Sequence, residues 1–303
     1  MLGAVVGDIV GSKYEDHPIK TKKFPLFGEG CTFTDDTVMT VAVAEALMNT
    51  MGMGPKEVRA EVIKKLRYWG RKYPKAGYGK RFIFWLAEPF PKPYHSWGNG
   101  SAMRVSPAGW LYATIRQTAD HARYSDEVTH DHPEGIKGAE AVASAVFMLR
   151  QGKSKNEVKS YIRGVYGYDF RFTLDEIRPG YGFDVSCQGS VPQAFVSFFE
   201  SHDFESCLRN AVSLGGDSDT LAAMAGSLGE ACYGIPDEIR KKTLSYLDDE
   251  MVAVYNKFSE MRRGYDTDRS STKRNDRGNE GQGQRTEGKP YTAPFGFESQ
   301  SQR

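Results

Sequence analysis

The segment from Val38 to Met48 constrains the fold more than any other part of the chain, because it is apolar on almost every side of a helix. A helix without a polar face has to be covered all round by other parts of the protein. No alternating run of β-branched residues stands out as material for a sheet. The sequence therefore predicts an all-α fold with a compact multi-helix domain.

Further helices are predicted where apolar residues recur every three or four positions or where proline begins a segment. Pro55 opens one such segment, and Pro192 is expected to open another. The stretch 69–99 is instead predicted to be a loop region rich in aromatic residues. The other predicted helices cover residues 139–149, 204–214, 220–232 and 236–258.

The composition changes near Arg262. Residues 1–261 carry the apolar patterns and are predicted to form one domain. Residues 262–303 have few apolar side chains and no helical period, which is typical of a disordered tail. The tail is therefore expected to lie outside the folded domain.

Charge and cysteine content limit the partners and the compartment. The formal net charge is +1 and the isoelectric point about 7.6, so no global field draws the protein to nucleic acid or to an anionic membrane. No apolar run approaches the ~20 residues of a membrane span, and no basic segment precedes the apolar start as in a signal peptide. The four scattered cysteines are expected to be free thiols in a cytoplasmic monomer.

Three acidic clusters stand out, in the segments 7–15, 34–37 and 215–220. Serine, threonine and aspartate are also the preferred caps of helix starts, so each cluster alone reads as a cap. The second and third clusters, however, offer two carboxylates and two hydroxyls each, directly before a strongly apolar helix. If these acidic ends meet in a buried place, a cation is needed to neutralise them. Oxygen ligands of this kind suit magnesium, manganese or calcium.

The clusters, taken in order, resemble the ADP-ribosylglycohydrolases. The matching motifs are Gly7-Asp8 with Gly11, Thr34-Asp35-Asp36-Thr37, Trp97 to Arg104, Thr129 to Glu134, and Gly215 to Gly226. The resemblance extends over about residues 1–255. It implies an orthogonally packed all-α domain that hydrolyses the bond between ADP-ribose and an acceptor, with protein arginine or a related group as the expected acceptor. ADP-ribosylated protein or a small molecule would be the substrate, and nucleic acid only as a carrier of ADP-ribose.

The resemblance also implies a site with two Mg²⁺ or Mn²⁺ ions. Thr34, Asp35 and Asp36 match the residues that hold one ion. Asp217, Asp219 and Thr220 match those that hold the other, with Asp219 bridging the two.

The resemblance also implies which residues are catalytic and which bind the substrate. Glu15 matches a mobile glutamate beside the metals, and Glu15 with either Asp36 or Asp217 is expected to supply the acid and the base. The glycine-rich segment is expected to lie along the diphosphate and the adjoining ribose. The expected substrate-binding residues are Gly98, Asn99, Gly100, Ser101, Met103 and His132.

Several alternatives remain open at this stage. Asp8 is expected to anchor a Gly7–Gly11 loop by hydrogen bonding rather than to touch metal, and His132 also reads as a helix cap. Tyr181, Phe183 or an aromatic residue between Tyr73 and Trp97 is expected to stack on the adenine. The protein could be an inactive ADP-ribose-binding or structural member of the same fold. A magnesium-dependent all-α diphosphate-processing enzyme fits less well, because no acid follows Asp36 one helical turn on.

Overall fold

The structure is a computed structural model that describes the backbone of residues 1–276 and the side chains of residues 1–262. Within that part of the chain it contains helices and loops but no strand, which confirms the all-α prediction. None of the described helices is both long and apolar enough to cross a membrane. Of the predicted disordered tail, residues 263–276 are described in their backbone only, and residues 277–303 lie outside the described part of the chain.

Fifteen helices account for most of the described backbone. They are α1 (Leu2–Ser12), α2 (Asp35–Asn49), α3 (Pro55–Lys72), α4 (Lys80–Ala87), α5 (Gly100–Arg104), α6 (Ser106–Leu111), α7 (Ile115–Asp126), α8 (Pro133–Arg150), α9 (Lys155–Tyr166), α10 (Leu174–Ile177), α11 (Cys187–Phe199), α12 (Phe204–Val212), α13 (Ser218–Tyr233), α14 (Asp237–Leu244) and α15 (Asp249–Asp276).

Helices α2 and α13 lie at the centre of the domain. Every residue of α2 from Asp36 to Met48 is buried except Glu45, as the all-round apolar pattern predicts. Helix α13 is buried from Ser218 to Gly229 and packs against α1, α8, α11 and α12. Because both helices begin with acidic residues, their burial takes those carboxylates into the interior of the domain.

Glycines at every fourth position let α1 lie directly on α13. A Cβ atom on Gly3 would come within 2.2 Å of Gly226 O, and one on Gly7 within 2.0 Å of Ala222 O. One on Gly11 would come within 2.5 Å of the Asp219 Cα. The contacts run in opposite directions along the two helices, so the end of α1 meets the beginning of α13.

We expect Gly7→Ala to destabilise the protein strongly. The added methyl group meets the backbone of α13 rather than a side chain that could turn away, and overpacking of this kind costs about 3 kcal/mol. This corresponds to a fall in Tm of roughly 6–12 °C for a domain of this size. Gly164→Ala in α9 is the matched control, since its Cβ would meet nothing within 4 Å. Thermal unfolding of both variants tests this, and equal Tm values would contradict the packing role of Gly7.

Four predictions about local structure need correction. The segment 69–99 contains a helix, α4, and residues 236–258 form two helices rather than one. Helix α11 begins at Cys187, where Ser186 caps it, so Pro192 lies inside the helix instead of opening it. The Gly7–Gly11 segment is part of α1 and not a loop.

Candidate active site

The acidic residues of the three clusters converge at one place. One carboxylate oxygen from each of Glu15, Asp217 and Asp219 can be chosen so that all three lie within 4.8 Å of one another. Asp217 and Asp219 stand at the beginning of α13, and Glu15 follows the end of α1. The close packing of these two helices is what brings the three carboxylates together.

The start of α2 joins this group through Asp8. The buried carboxylate of Asp8 accepts hydrogen bonds from Thr34 N at 2.9 Å, Thr34 Oγ1 at 2.7 Å and Thr37 N at 3.0 Å. Thr34 is the N-cap of α2, and its hydroxyl also lies 3.4 Å from Asp219 Oδ2. Asp8 therefore anchors the beginning of α2 against α1, rather than the glycine segment to which it belongs.

A direct contact also links α2 to α13. The hydroxyl of Thr220 donates to Asp36 Oδ2 at 3.2 Å. The other oxygen, Asp36 Oδ1, is buried and has no hydrogen-bond partner in the described part of the chain. A carboxylate oxygen in that situation is costly unless a cation or a proton satisfies it.

Burial and mutual repulsion raise the pKa values of the whole group. Burial is the largest cause for each carboxyl group, and it raises the pKa of Asp8 and of Glu15 to about 7, with the charge of Asp219 adding to both. The same two causes raise the pKa of Asp35 and of Asp36 well above the usual range. Without a cation these residues cannot all be ionised at neutral pH.

The glycine-rich segment forms the wall opposite the acidic group. Asn99 Nδ2 donates to Asp217 Oδ2 at 2.7 Å and so joins the two. The backbone N–H groups of Gly98 and Asn99 are bonded to Ser96 Oγ at 3.1 Å and Val185 O at 2.8 Å. These two N–H groups are therefore engaged within the protein and do not face a ligand in this structure.

His130 approaches the same wall through a buried polar chain. Arg104 donates to Asp126 Oδ1 at 3.0 Å and to Thr129 Oγ1 at 2.8 Å, and Thr129 Oγ1 lies 2.8 Å from His130 Nδ1. Thr129 Oγ1 therefore connects Arg104 to the Nδ1 side of the His130 ring, and Nε2 is the ring nitrogen nearest Gly98 and Gly100. Burial, followed by the charge of Arg104, holds the pKa of His130 well below its usual value, so the ring is neutral.

A cavity of about 530 Å³ opens between the acidic group and the glycine-rich wall. Of the predicted site residues, it is lined by Glu15, Asp35, Asp36, Gly98, Asn99, Gly100, Met103, Asp217, Asp219 and Thr220.

Three predicted residues are not among those that line the cavity. Thr34 is the cap of α2, with its hydroxyl 3.4 Å from Oδ2 of the lining residue Asp219. Ser101 is buried with its hydroxyl donating to Gly135 O at 2.8 Å. His132 is the N-cap of α8, where its Nδ1 accepts from Glu134 N at 3.1 Å. The histidine that does line the cavity is His130.

Several lining residues were not singled out from the sequence. Lys80 and Arg81, in the first turn of α4, lie at the cavity together with Tyr94 and Ser96. Phe183 lines it as well and is 60% exposed, whereas Tyr181 does not line it and uses its hydroxyl to bind Gly189 O at 2.8 Å. The sequence carried no signal for Lys80 and Arg81, because the helix that presents them was not predicted.

Comparisons with known proteins agree with this site. The sequence profile of the family described as ADP-ribosylglycohydrolase matches residues 1–267. The chain is 26% identical to human ADP-ribosylhydrolase ARH3 over 84% of this chain and 90% of that protein. It is 29% identical to ADP-ribosyl-[dinitrogen reductase] glycohydrolase of Rhodospirillum rubrum over 82% and 88%. A solved structure described as an ADP-ribosylglycohydrolase-related protein complex superimposes with a TM-score of 0.63 at 26% identity, covering 86% of this chain and 95% of that one.

Proposed function

The chain belongs to the ADP-ribosylglycohydrolase family, and from that premise we propose that it hydrolyses the glycosidic bond between ADP-ribose and a protein acceptor, arginine or a related group, with two divalent cations. The observation that carries this proposal is the convergence of Asp36, Asp217 and Asp219 on one cavity next to a glycine-rich wall. Support for a protein acceptor comes from the Rhodospirillum relative, which is named for a protein target.

The donor set fits hard divalent cations. Carboxylate and hydroxyl oxygens are the ligands that Mg²⁺ and Mn²⁺ prefer, and Asp36 Oδ1 is a buried oxygen that lacks a partner. Thr34, Asp35 and Asp36 would hold one ion, and Asp217, Asp219 and Thr220 the other, with Asp219 shared. When bound, the ions supply Lewis-acid polarisation and fixed positions for the hydroxyls of the substrate ribose.

The chain's own acids supply proton transfer. Glycoside hydrolysis requires one carboxyl group that protonates the leaving group and one that activates water. Glu15 lies on a turn after α1, is only half buried, and can approach the reacting bond from the solvent side. We assign one of the two tasks to Glu15, and the other to Asp36 or Asp217.

The opposite wall would hold the diphosphate and the adenosine half of the ligand. Gly98, Asn99, Gly100 and Met103 line this side of the cavity. A Cβ atom on Gly100 would lie 3.2 Å from His130 Nε2, so glycine leaves room for that ring to reach the wall. The neutral His130 ring then offers its Nε2 side for a hydrogen bond to the ligand, and it takes the place that the sequence resemblance gave to His132.

The adenine has two exposed aromatic neighbours at the cavity. Phe183 and Trp97 both line it, and both keep a large part of their rings exposed. An aromatic ring that is exposed beside a cavity can stack on a planar base. We therefore propose Phe183 or Trp97, and not Tyr181, as the stacking residue.

An inactive ADP-ribose binder is the alternative, and the intact acidic group argues against it. A binder needs the cavity but not five carboxyl groups whose pKa values are raised, in the first place by burial. Retaining such a group without using it would cost stability.

A substrate panel tests the proposed function. The protein is incubated with Mg²⁺ and with ADP-ribosylated arginine, serine or nucleic acid, and the release of ADP-ribose is measured. We expect release from the arginine conjugate to be fastest, with Asp219→Ala as the inactive control. Binding of ADP-ribose by calorimetry without release from any conjugate would show a binder instead of a hydrolase.

A further inference from the structure

The segment 62–100, which forms one side of the cavity mouth, has a charge unlike the rest of the chain. It contains nine Lys and Arg residues and one acid, Glu88. Taking these from the totals of 40 and 39 leaves 31 basic and 38 acidic residues in the remainder. Basic and acidic residues are therefore unevenly distributed although the net charge is near zero. Two cations of the basic segment 62–100, Lys80 and Arg81, line the cavity.

Most of this basic charge is not neutralised by neighbouring acids. Lys64, Lys65 and Lys72 form ion pairs with Glu61, Glu45 and Glu250. The other six basic side chains lie within 4.0 Å of no carboxylate among the described residues. They are Arg67, Arg71, Lys75, Lys80, Arg81 and Lys92.

Exposed apolar side chains lie among these cations. Phe84 is 71% exposed and Phe90 89%, and Tyr68 and Ile83 are each about half exposed. These four side chains lie on α3, on α4 and on the loop after it, which the hydrogen bonds of Arg67 hold together, and grouped exposed apolar side chains mark interaction sites. We call the surface made by Tyr68, Lys75, Ile83, Phe84, Phe90 and Lys92 the 68–92 surface.

Hydrogen bonds make this surface continuous with the cavity mouth. The guanidinium of Arg67 donates to Glu88 O at 2.7 Å and Pro89 O at 3.3 Å, which fixes the loop carrying Phe90 to α3. Lys80 lines the cavity, and Phe84 follows it by four residues on α4. Side chains four residues apart are neighbours on a helix surface, about 5–6 Å between Cβ atoms. A partner lying on Phe84 is therefore one helical turn from Lys80 at the cavity.

We propose that the 68–92 surface is the docking site for the protein that carries the ADP-ribose, and that this protein presents an acidic segment with apolar side chains. The inference rests on the proposed function and adds that the substrate protein is acidic and partly apolar where it docks. Unpaired cations beside the cavity steer an acidic partner toward it and disfavour a basic one. Phe84 and Phe90 supply the apolar anchors that carry binding energy in such interfaces.

A protein fits this surface better than a nucleic acid. Proteins that bind single strands combine a basic groove with stacked aromatic rings. The 68–92 surface is instead the flank of a helix and the loop after it, and it includes aliphatic Ile83 beside Phe84. Tyrosine and phenylalanine, which this surface exposes, are enriched in protein interfaces.

The test uses the full-length enzyme and one modified amino acid in three settings. ADP-ribosylated arginine is presented as the free conjugate, within an acidic peptide that contains leucine and phenylalanine, and within a basic peptide of equal length. The first variant is Lys75→Glu with Lys92→Glu, and the second is Phe84→Ala with Phe90→Ala. Lys241→Glu with Lys257→Glu makes the same charge change at exposed positions on α14 and α15.

We expect wild-type kcat/KM to be highest for the acidic peptide and to fall with rising salt. Lys75→Glu with Lys92→Glu should reduce that value about tenfold through KM, with kcat and the free conjugate nearly unchanged. Phe84→Ala with Phe90→Ala should reduce kcat/KM for the acidic peptide to a similar extent, and this reduction should depend less on salt. The control pair should behave as wild type.

Equal effects of the variants on acidic and basic peptides would overturn the docking inference while leaving the proposed function intact. Failure to cleave even the free conjugate would instead sink the proposed function. A binding measurement keeps the two questions separate, because fluorescence anisotropy with the unmodified acidic peptide needs no turnover. Tighter binding of a polythymidine oligonucleotide than of that peptide, lost in Lys75→Glu with Lys92→Glu, would show a nucleic-acid surface and refute the protein proposal.

Discussion

Asp219→Ala is expected to reduce kcat at least 1,000-fold while leaving the helical content unchanged. Asp219 contacts residues of all three clusters. One of its carboxylate oxygens lies within 4.8 Å of an oxygen of Glu15 and of Asp217, and its Oδ2 lies 3.4 Å from Thr34 Oγ1. Its loss removes the carboxylate proposed to be shared by both ions. A Lewis-acid site contributes several kcal/mol to the transition state, and about 4 kcal/mol corresponds to the stated factor. Release of ADP-ribose and far-ultraviolet circular dichroism are the measurements.

Asp203→Ala separates the role of a ligand from that of a helix cap. Asp203 also stands at a helix start, where its side chain accepts from Ser206 N at 2.6 Å at the beginning of α12. Removing a cap costs about 1 kcal/mol of stability. The Asp203→Ala variant should therefore have a lower Tm and an unchanged kcat.

Chelation with EDTA should stop the wild-type reaction, and Mg²⁺ or Mn²⁺ should restore it. Undiminished turnover by Asp219→Ala would remove this residue from the site.

The helices and the acids of the cavity could be predicted from the sequence because both depend on local patterns. An all-round apolar segment such as 38–48 has to be central in any fold. Paired acids at the beginning of two such helices are then expected to be buried with them, and the family resemblance implied that they share one site. The positive φ angles of Gly215 and Gly216, 69° and 72°, also follow from residue type, because glycine adopts that conformation at little cost.

Features that depend on how distant helices pack could not be predicted. The glycines of α1 read as a loop, but they are spaced for contact with α13, a partner more than 200 residues away. Helix α4 was missed because Ile83 and Phe84 are exposed while Phe82 and Trp85 are buried, so its apolar residues do not show which face is inside.

The choice between two histidines was also a matter of tertiary structure. His130 and His132 are two residues apart, and the sequence favoured His132. In the structure His132 caps α8, while Thr129 and Arg104 hold His130 in the wall of the cavity. The contact of Arg104, on α5, with Thr129 helps to hold His130 at the cavity, and the local sequence around the two histidines does not show this contact.

Metal-free protein is expected to lose stability as the pH rises from about 4 to about 7. Carboxyl groups in the unfolded chain have pKa values of about 4, whereas burial raises those of Asp8 and Glu15 to about 7 and that of Asp36 well above its usual range. Between these values the folded state binds more protons than the unfolded state. Stability contributed by these groups is therefore present below pH 4 and is lost as the pH rises through the folded-state pKa values.

Magnesium should reverse this loss. At 100 times its Kd, an ion that binds only the folded state adds about 2.7 kcal/mol, or a rise in Tm of roughly 5–10 °C for a domain of this size. The rise should be large at pH 8 and small near pH 5, because protons compete with the ion for the same oxygens. Differential scanning fluorimetry at both pH values, with EDTA or with Mg²⁺, measures it.

Asp36→Asn gives the sharpest form of this test. The amide keeps the shape of the side chain but removes a charge that is buried beside Asp35 and Asp219. At pH 8 without metal this variant should therefore melt at a higher temperature than the wild type, and with Mg²⁺ at a lower one. Asp237→Asn, at an exposed position in α14, should leave both temperatures within about 1 °C, since surface substitutions rarely matter. The same order of Tm values with and without magnesium would refute the role of Asp36 in holding a cation.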